Sequence, residues 1–543
     1  MPLLVLPAEE AVRRAEDPSA RWPSTPGAQA ERLAPIALPT FRPSFRIDKA
    51  QPIFTIGSCF ARNIEKQLLA EGYNVAFAGF EAPPEPDGRG DADAILHRYL
   101  VHSIVNELSW AFGETPYPEA AWVELEPGGW FDLHLHQAAP PSPLDLVRAR
   151  REAIKGYMRL AAQAEVFVMT LGLAEAWFDL ETGHYLNAVP PQKARGLFPQ
   201  RFQFHLLGYD EVLAGLEEVR ALLIRHGRPG LKILVTVSPV AMNTTFTGGE
   251  VMVANSYMKS AQRAAVEAFV RRHDNVDYFP SYESVTLSDR RRAWREDGAH
   301  VSDELVRVNV LRMLEAYAAQ GAEVGKAERS ARAFAEVQAA REAAGAGDHA
   351  GASRAYRAAL EAAPEEGLIL LEFGRFLHGR RGFAEAAGLA ERAVGCGAGP
   401  YGGWLLLAQA RFGQRRYREA DAAAEEARRL QPNHASVVNI SAEIARRLGR
   451  SDEALAFARR HLELAPDSEA SQRRLLALEK SAGRGKGLRA LIERLAPPPS
   501  RPPIKSGAGL PPEGEDQKNG AGQDLPPLGE VPAKRGKGAA RGA

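Results

Sequence analysis

Cysteine is almost missing from this chain: Cys59 and Cys396 are the only two in 543 residues. Two thiols cannot build a disulfide framework or a cysteine-rich zinc site, though they leave room for one bridge, and a reducing compartment is the simplest expectation. Net charge is missing too, since 68 lysines and arginines balance 68 aspartates and glutamates. No global field draws such a chain onto nucleic acid or an anionic membrane, so neither is expected as a partner. Long apolar runs are also absent, and no stretch reaches the roughly 18 uncharged residues that span a bilayer. Residues 1–7 are apolar only briefly, lack a basic leader and run into Glu9 and Glu10, unlike a secretory signal. A soluble cytoplasmic protein is expected. At roughly 100–200 residues per domain, the length suggests three or four units.

What is present falls into distinct stretches. Residues 1–43 carry scattered prolines with no sustained period, which predicts an extended leader lying on the domain that follows. Residues 44–322 alternate short apolar runs with amphipathic ones, the pattern of a parallel sheet covered by helices on both faces. The candidate strands are 53–56, 74–78, 166–171, 231–237 and 276–279, so the expected fold is a three-layer, doubly wound α/β domain. The segment from about 80 to 143 is too long for a simple connection and contains a helical pattern over 95–112, so it reads as an insertion beside the site.

From about residue 328 to 495, alanine, arginine and glutamate take over. Ala352, Ala386, Ala420 and Ala454 follow one another at 34 residues, three of them preceded by Glu385, Glu419 and Glu453. Pro364, Pro432 and Pro466 fall twelve residues after such an alanine, and Pro400 falls fourteen after Ala386. Small residues let paired helices approach closely, and a proline stops the second helix of each pair. The period resembles that of tetratricopeptide repeats, with Phe383 and Tyr417 supporting the register. About four repeats are expected, forming an all-α solenoid with a groove for a protein partner. Residues 496–543 are rich in proline, glycine and lysine with almost nothing to bury, which predicts a disordered tail.

Two short segments can carry chemistry. The first strand ends in Ile56-Gly57-Ser58-Cys59-Phe60-Ala61-Arg62, where an amphipathic helix begins at once. A serine there sits at the carboxyl edge of the sheet, the place where open α/β folds bind ligands, and it has two readings: a nucleophile, or a cap of the helix. After the last strand comes Glu296-Asp297-Gly298-Ala299-His300-Val301-Ser302. A neutral His300 could take the proton of Ser58, and Asp297 could fix the imidazole's tautomer; the alternative is a capping aspartate beside a surface histidine. Cys59, at a helix start that lowers a thiol pKa, is the competing nucleophile, with burial in the core as its alternative. Asp132, His134 and His136 alternate and could share one strand face; without a fourth ligand they read as a solvated face, and no metal site is assigned. Trp110, Trp122, Trp130 and Trp177 suit either sugar stacking or packing.

The pentapeptide Gly57-Ser58-Cys59-Phe60-Ala61 resembles the motif after which the GSCFA family is named, a family whose fold is similar to that of SGNH (GDSL-type) hydrolases. The likeness extends over about 40–320: Ser44-Phe45-Arg46, Ile53-Phe54-Thr55, Thr170-Leu171-Gly172, Thr236-Val237-Ser238-Pro239-Val240 and Asp297-Gly298-Ala299-His300. The resemblance implies Ser58 as nucleophile, His300 as base and Asp297 as its orienting acid. It also implies an oxyanion hole made of the Ser58 N–H, a glycine after the second strand, for which Gly79 is the candidate, and an asparagine two positions after Gly172. This chain departs at that asparagine, reading Gly172-Leu173-Ala174-Glu175. Loss of one such donor lowers rates by about a hundred- to a thousandfold. Asn187 and Asn255 are candidates to project into the site instead, and Glu175 is a candidate ligand contact or a surface carboxylate.

Two functions follow from these residues and the resemblance. One is a serine-dependent acyl-ester hydrolase or acyltransferase acting on an acetylated glycan in bacterial polysaccharide metabolism, needing no cofactor as a hydrolase and an acyl donor such as acetyl-CoA as a transferase. The other is an adaptor whose α/β domain binds a glycan without turnover while the repeats hold a partner.

Overall fold

The computed structural model describes residues 2–23, 32–33, 35–76, 80, 83, 95–135, 140–318, 325–397, 400–465, 468, 471–473, 475 and 479. The expected tail, Gly79, His136, Pro466 and the side chain of Cys59 lie outside them. The elements up to residue 317 are, in chain order, α1 (Ala8–Arg14), β1 (Ile53–Gly57), α2 (Cys59–Ala70), α3 (Val101–Phe112), β2 (Trp122–Glu126), β3 (Gly129–Asp132), α4 (Leu144–Arg159), β4 (Val166–Leu171), β5 (Glu175–Asp179), β6 (His184–Leu186), α5 (Gln192–Leu197), β7 (Phe202–Leu206), α6 (Tyr209–His226), β8 (Lys232–Val237), α7 (Val251–Arg272), β9 (Val276–Tyr278), α8 (Ser281–Leu287), α9 (Arg290–Ala293) and α10 (Asp303–Tyr317).

Strands β1, β4, β8 and β9 pair in that order, all parallel. The strand expected over 74–78 is reduced, among the described residues, to one parallel bridge between Val75 and Ile53 on the outer side of β1. Because side chains alternate along a strand, the two faces fill separate cores. Phe54, Ile56, Phe167, Met169, Ile233 and Val235 pack with α3, α4, α6 and α7, whereas Ile53, Val166, Val168 and Leu234 pack with α2, α8 and α10. Helices on both faces of a parallel sheet make the expected three-layer arrangement.

Three expectations need correction. The leader contains a short helix, α1, which scattered prolines concealed. Further on it does lie on the domain: Ala37 N–H donates to Ser288 Oγ at 2.8 Å, and Phe41 stacks on Tyr317. The segment 80–143 is not all insertion, since α3 buries Val101, Ile104 and Leu108 in the core beneath β1; among its described residues the β2–β3 hairpin forms a sheet of its own. Finally, the chain after β4 forms a separate antiparallel sheet ordered β6-β5-β7, which the sequence reading did not foresee.

The repeats follow as α11 (Lys326–Gly345), α12 (His349–Ala362), α13 (Gly367–Gly379), α14 (Phe383–Gly395), α15 (Pro400–Gly413), α16 (Tyr417–Leu430), α17 (Ala435–Arg447) and α18 (Ser451–Leu464). Ala352, Ala386, Ala420 and Ala454 each lie wholly buried in the second helix of a pair. Close approach is demanded elsewhere too: a methyl group on Gly374 would stand 2.6 Å from Leu406 Cδ2. Pro364 and Pro432 follow the ends of α12 and α16, but Pro400 is the first residue of α15, where a missing N–H leaves nothing unsatisfied. That different role explains its shifted spacing. One core continues from the sheet through Val306 and Val310 of α10 to Phe334 and Val337 of α11. Across this seam Arg307 pairs with Glu71 at 2.7 Å and with Glu366 at 3.3 Å. No described helix is long and apolar enough to cross a membrane.

Candidate functional site

At the carboxyl edge of the sheet, Gly57 adopts φ 141°, and a methyl group there would overlap the hydroxyl and carbonyl oxygens of Thr170. Only glycine passes this point, and the chain then turns into α2 at Ser58. Ser58 is 3% exposed, and its Oγ accepts the N–H of Phe60 at 3.3 Å. The capping role of this serine is therefore real in the resting structure. Its own N–H donates to Thr170 Oγ1 at 3.1 Å, so this expected oxyanion donor is already engaged.

Next to Ser58 runs the strap 97–100. The Arg98 N–H donates to the Gly57 carbonyl at 2.7 Å, and the Tyr99 carbonyl accepts from Gly172 N–H at 3.1 Å and Leu173 N–H at 2.8 Å. The strap thereby ties the end of β1 to the end of β4. It brings Gly172 against the serine: a methyl group on Gly172 would meet Tyr99 O at 3.0 Å and Ser58 Cβ at 3.4 Å.

The strap is itself held by residues expected elsewhere. Asn187, 1% exposed, accepts from Tyr99 N–H at 2.9 Å and Ser103 Oγ at 3.1 Å, and donates to the His97 carbonyl at 2.8 Å. In this structure its amide clamps the strap. Glu175 is buried rather than a surface carboxylate: it accepts from Thr245 Oγ1 at 2.5 Å and Phe246 N–H at 2.9 Å, and so holds the loop after β8. Asn255 holds the same loop through Met242 N–H at 3.2 Å. Ala174 faces the core of the sheet, fully buried, so this position offers the site no side-chain donor.

Asp297 and His300 are brought together. Asp297 Oδ1 accepts the N–H groups of Ala299 and His300, each at 2.9 Å, and His300 Nδ1–H donates to Oδ2 at 2.6 Å. Gly298, at φ 66°, makes the turn possible. The His300 and Ala299 N–H groups, then the imidazole, hold the Asp297 carboxyl well below the usual carboxylate range. With Nδ1 committed to Asp297, Nε2 is the ring nitrogen left to meet another group. Among the described residues no hydrogen bond joins His300 to Ser58. His300 lies in the loop that leads into α10, and α10 packs against α2, the helix that Ser58 caps.

The alternating Asp132 and His134 form no metal site; no metal-binding cluster occurs among the described residues. Nor are they solvated, each being 2% exposed. Arg151 joins Asp132 at 2.6 Å to Glu107 at 2.8 Å, and Glu107 pairs with Arg98 at 2.6 Å, so a buried four-charge chain ends on the strap. Burial pushes the Glu107 carboxyl up, but Arg151 and Arg98 outweigh it and hold the pKa below its ordinary value. Sequence reasoning missed this chain because its members are scattered in sequence and lack a period. Of the tryptophans, Trp110 is buried against His134, whereas Trp177 is half-buried and meets Phe204 at 5.7 Å and the exposed Phe246 at 5.2 Å.

Residues 52–312 match the family model of the GSCFA family, and residues 337–402 and 405–469 match the tetratricopeptide-repeat model. No curated protein matches the chain. Among solved structures, MamA from Desulfovibrio magneticus RS-1 is 10% identical, covering 30% of this chain and 93% of its own, with a TM-score of 0.28. TTC0263, a repeat protein of Thermus thermophilus, is 19% identical over 30% of this chain and 91% of its own, at 0.26. PilW, a type IV pilus biogenesis factor, is 17% identical over 35% and 86%, at 0.28.

Proposed function

We propose that the α/β region is a serine-dependent acyl-ester hydrolase or acyltransferase, acting on an acylated glycan, and that the repeats hold a protein partner. The observation that carries this reading is the Asp297–His300 pair: the carboxylate is fixed by two backbone N–H groups through one oxygen and holds the imidazole at Nδ1 through the other. Both side chains are about half exposed, so the imidazole stands open to a partner from outside. In the reaction, Ser58 Oγ gives its proton to His300 Nε2 and attacks the ester carbonyl; the tetrahedral adduct collapses, and the leaving alkoxide takes that proton. Water resolves the acyl-enzyme in hydrolysis, and a sugar hydroxyl does so in transfer. Ser58 has first to leave its cap, and the 3.3 Å bond to Phe60 N–H is a long one to give up. The exposed ring of Phe246 beside Trp177, two residues beyond Glu175, is suited to a sugar face.

Two observations favour a second reading, a glycan-binding adaptor without turnover: the Ser58 N–H is occupied by Thr170, and Ala174 faces the core. Covalent labelling by a fluorophosphonate, followed by intact mass and peptide mapping, separates the two. A single adduct on Ser58 that disappears in Ser58→Ala and falls about a thousandfold or more in rate in His300→Ala supports the enzyme. No adduct on folded protein supports the adaptor.

A further inference from the structure

Glu304 stands in the first turn of α10, four residues after His300, with its side chain 14% exposed. Its partner comes from the repeats: Arg341 of α11 reaches it at 2.5 Å. The same guanidinium pairs with Glu372 of α13 at 2.5 Å, and Glu372 accepts the Tyr356 hydroxyl of α12 at 2.9 Å. Three repeat helices thus hold one cation against α10. One turn further along α10, Arg307 pairs with Glu366, the residue that precedes α13, so the charges are reversed there. Burying a carboxylate is costly, and apolar residues would close such a seam as well or better. Burial raises the Glu304 pKa, and Arg341 only partly offsets this. What two pairs of opposite polarity provide is register, since shifting α10 by one turn would set Arg307 against Arg341.

Register matters at this end of α10 because the His300 loop stands on it. Ser302 caps the helix by accepting Leu305 N–H at 3.3 Å, and its hydroxyl donates to the Arg292 carbonyl at 2.6 Å. Ser302 N–H donates to the Ala293 carbonyl at 2.9 Å, and Arg295 N–H donates to the His300 carbonyl at 2.8 Å. A short closed loop therefore ties His300 to the first turn of α10, and α10 packs on α2, which Ser58 caps. We propose that the repeats are a working part of the serine site: Arg341 is a positioning residue that, through Glu304, fixes the end of α10 on which His300 stands relative to Ser58. This rests on the reading of Ser58 as a nucleophile with His300 as its base.

The test uses the full chain and the rate at which a fluorophosphonate labels Ser58. Arg341→Met removes the charge and keeps most of the length; it is expected to slow labelling by about ten- to a hundredfold, since misplacing a reacting group by about 1 Å costs up to that much. Glu304→Gln should slow it similarly, and the double variant should be no slower than the slower single, because each removes the same link. Arg341→Lys keeps a cation facing Glu304 and should label within about fivefold of wild type. Gly403→Ala, whose methyl group would stand 2.7 Å from Val394 Cγ2, strains the third helix pair instead. It should stay within about twofold of wild type. A wild-type rate in Arg341→Met, losses that multiply in the double variant, no recovery with lysine, or an equal loss in Gly403→Ala each overturn the proposal while leaving the nucleophile in place. No labelling of wild type overturns both readings together. If Arg341→Met loses its cooperative melt, Glu304→Gln decides: folded and slowed by about tenfold or more supports the link, folded and slowed less overturns it. Failure of both to fold, with Gly403→Ala intact, assigns the pair to stability and also overturns it.

Discussion

In the α/β region, position is enforced by buried polar groups that reach across long stretches of sequence; in the repeats it is enforced by the near-absence of side chain at regular intervals. Around Ser58, the strap 97–100 is held by Asn187 and by a charge chain from Arg98 through Glu107 and Arg151 to Asp132. Between α12 and α18, close packing depends on wholly buried alanines and on glycines such as Gly374 and Gly403. A site that must hold a serine within tenths of an ångström uses directional bonds, whereas a stack of similar helix pairs needs only room to approach. The first kind of support fails all at once when one partner goes. The second kind tolerates graded change.

Glu107→Gln should test the first half of that contrast most severely. It leaves two buried guanidinium groups facing one carboxylate, and breaking a buried pair typically destabilises by about 3–5 kcal/mol. Equilibrium denaturation by urea should show a loss in this range, with the strap's support of Ser58 lost alongside it. A change below about 1 kcal/mol would mean that the charge chain is dispensable.

The same cluster should write a pH dependence into the fold. His134 is buried against Trp110, and among the described residues its Nε2 has no hydrogen-bond partner. Burial pushes its pKa down to about 4; Asp132 and Glu107 oppose the shift, while Arg151 and His184 add to it. An imidazole depressed in the folded state binds protons more readily when unfolded, so stability is complete above about pH 6.5 and falls as pH drops towards 4. The expected loss is about 3 kcal/mol. His134→Phe should flatten this part of the stability profile relative to wild type, and an unchanged slope would move the effect to another group.

The contrast also decides what the sequence disclosed. The repeats were legible in detail because one 34-residue period carried alanine, glutamate and proline together, and the structure gives four helix pairs in that register. The parallel strands were legible because each is a short apolar run that the fold buries almost completely. The Asp297–His300 loop was legible because three residues separate its partners. The clamps were not. Asn187 and Asn255 carry the right chemistry for an open site, and nothing local distinguishes an amide that projects from one that bonds to a distant backbone. Glu304 and Arg341 were equally silent, because a charged residue on an amphipathic helix normally faces water. The antiparallel sheet of β5, β6 and β7 was missed because its strands are only partly buried and mix polar with apolar residues, so no apolar run marks them.

The smallest effect belongs to the repeats, at a position where the period carries strain. The turn between paired helices reaches the left-handed region at Gly347 (φ 82°), Arg381 (63°), Arg415 (63°) and Gly449 (76°), each 34 residues after the last. A left-handed conformation costs a residue with a Cβ roughly 1–2 kcal/mol, which glycine avoids, although glycine surrenders part of that gain through its greater freedom when unfolded. Arg381 is exposed. Arg381→Gly should therefore stabilise the repeats by up to about 1 kcal/mol, and Gly347→Arg should destabilise them by a similar amount. Paired denaturation curves on the full chain measure both. Opposite signs at two equivalent turns would show that the repeats tolerate graded change at the backbone as well as in their packing; a destabilising Arg381→Gly would instead give that arginine a side-chain role that the glycines at the other turns cannot fill.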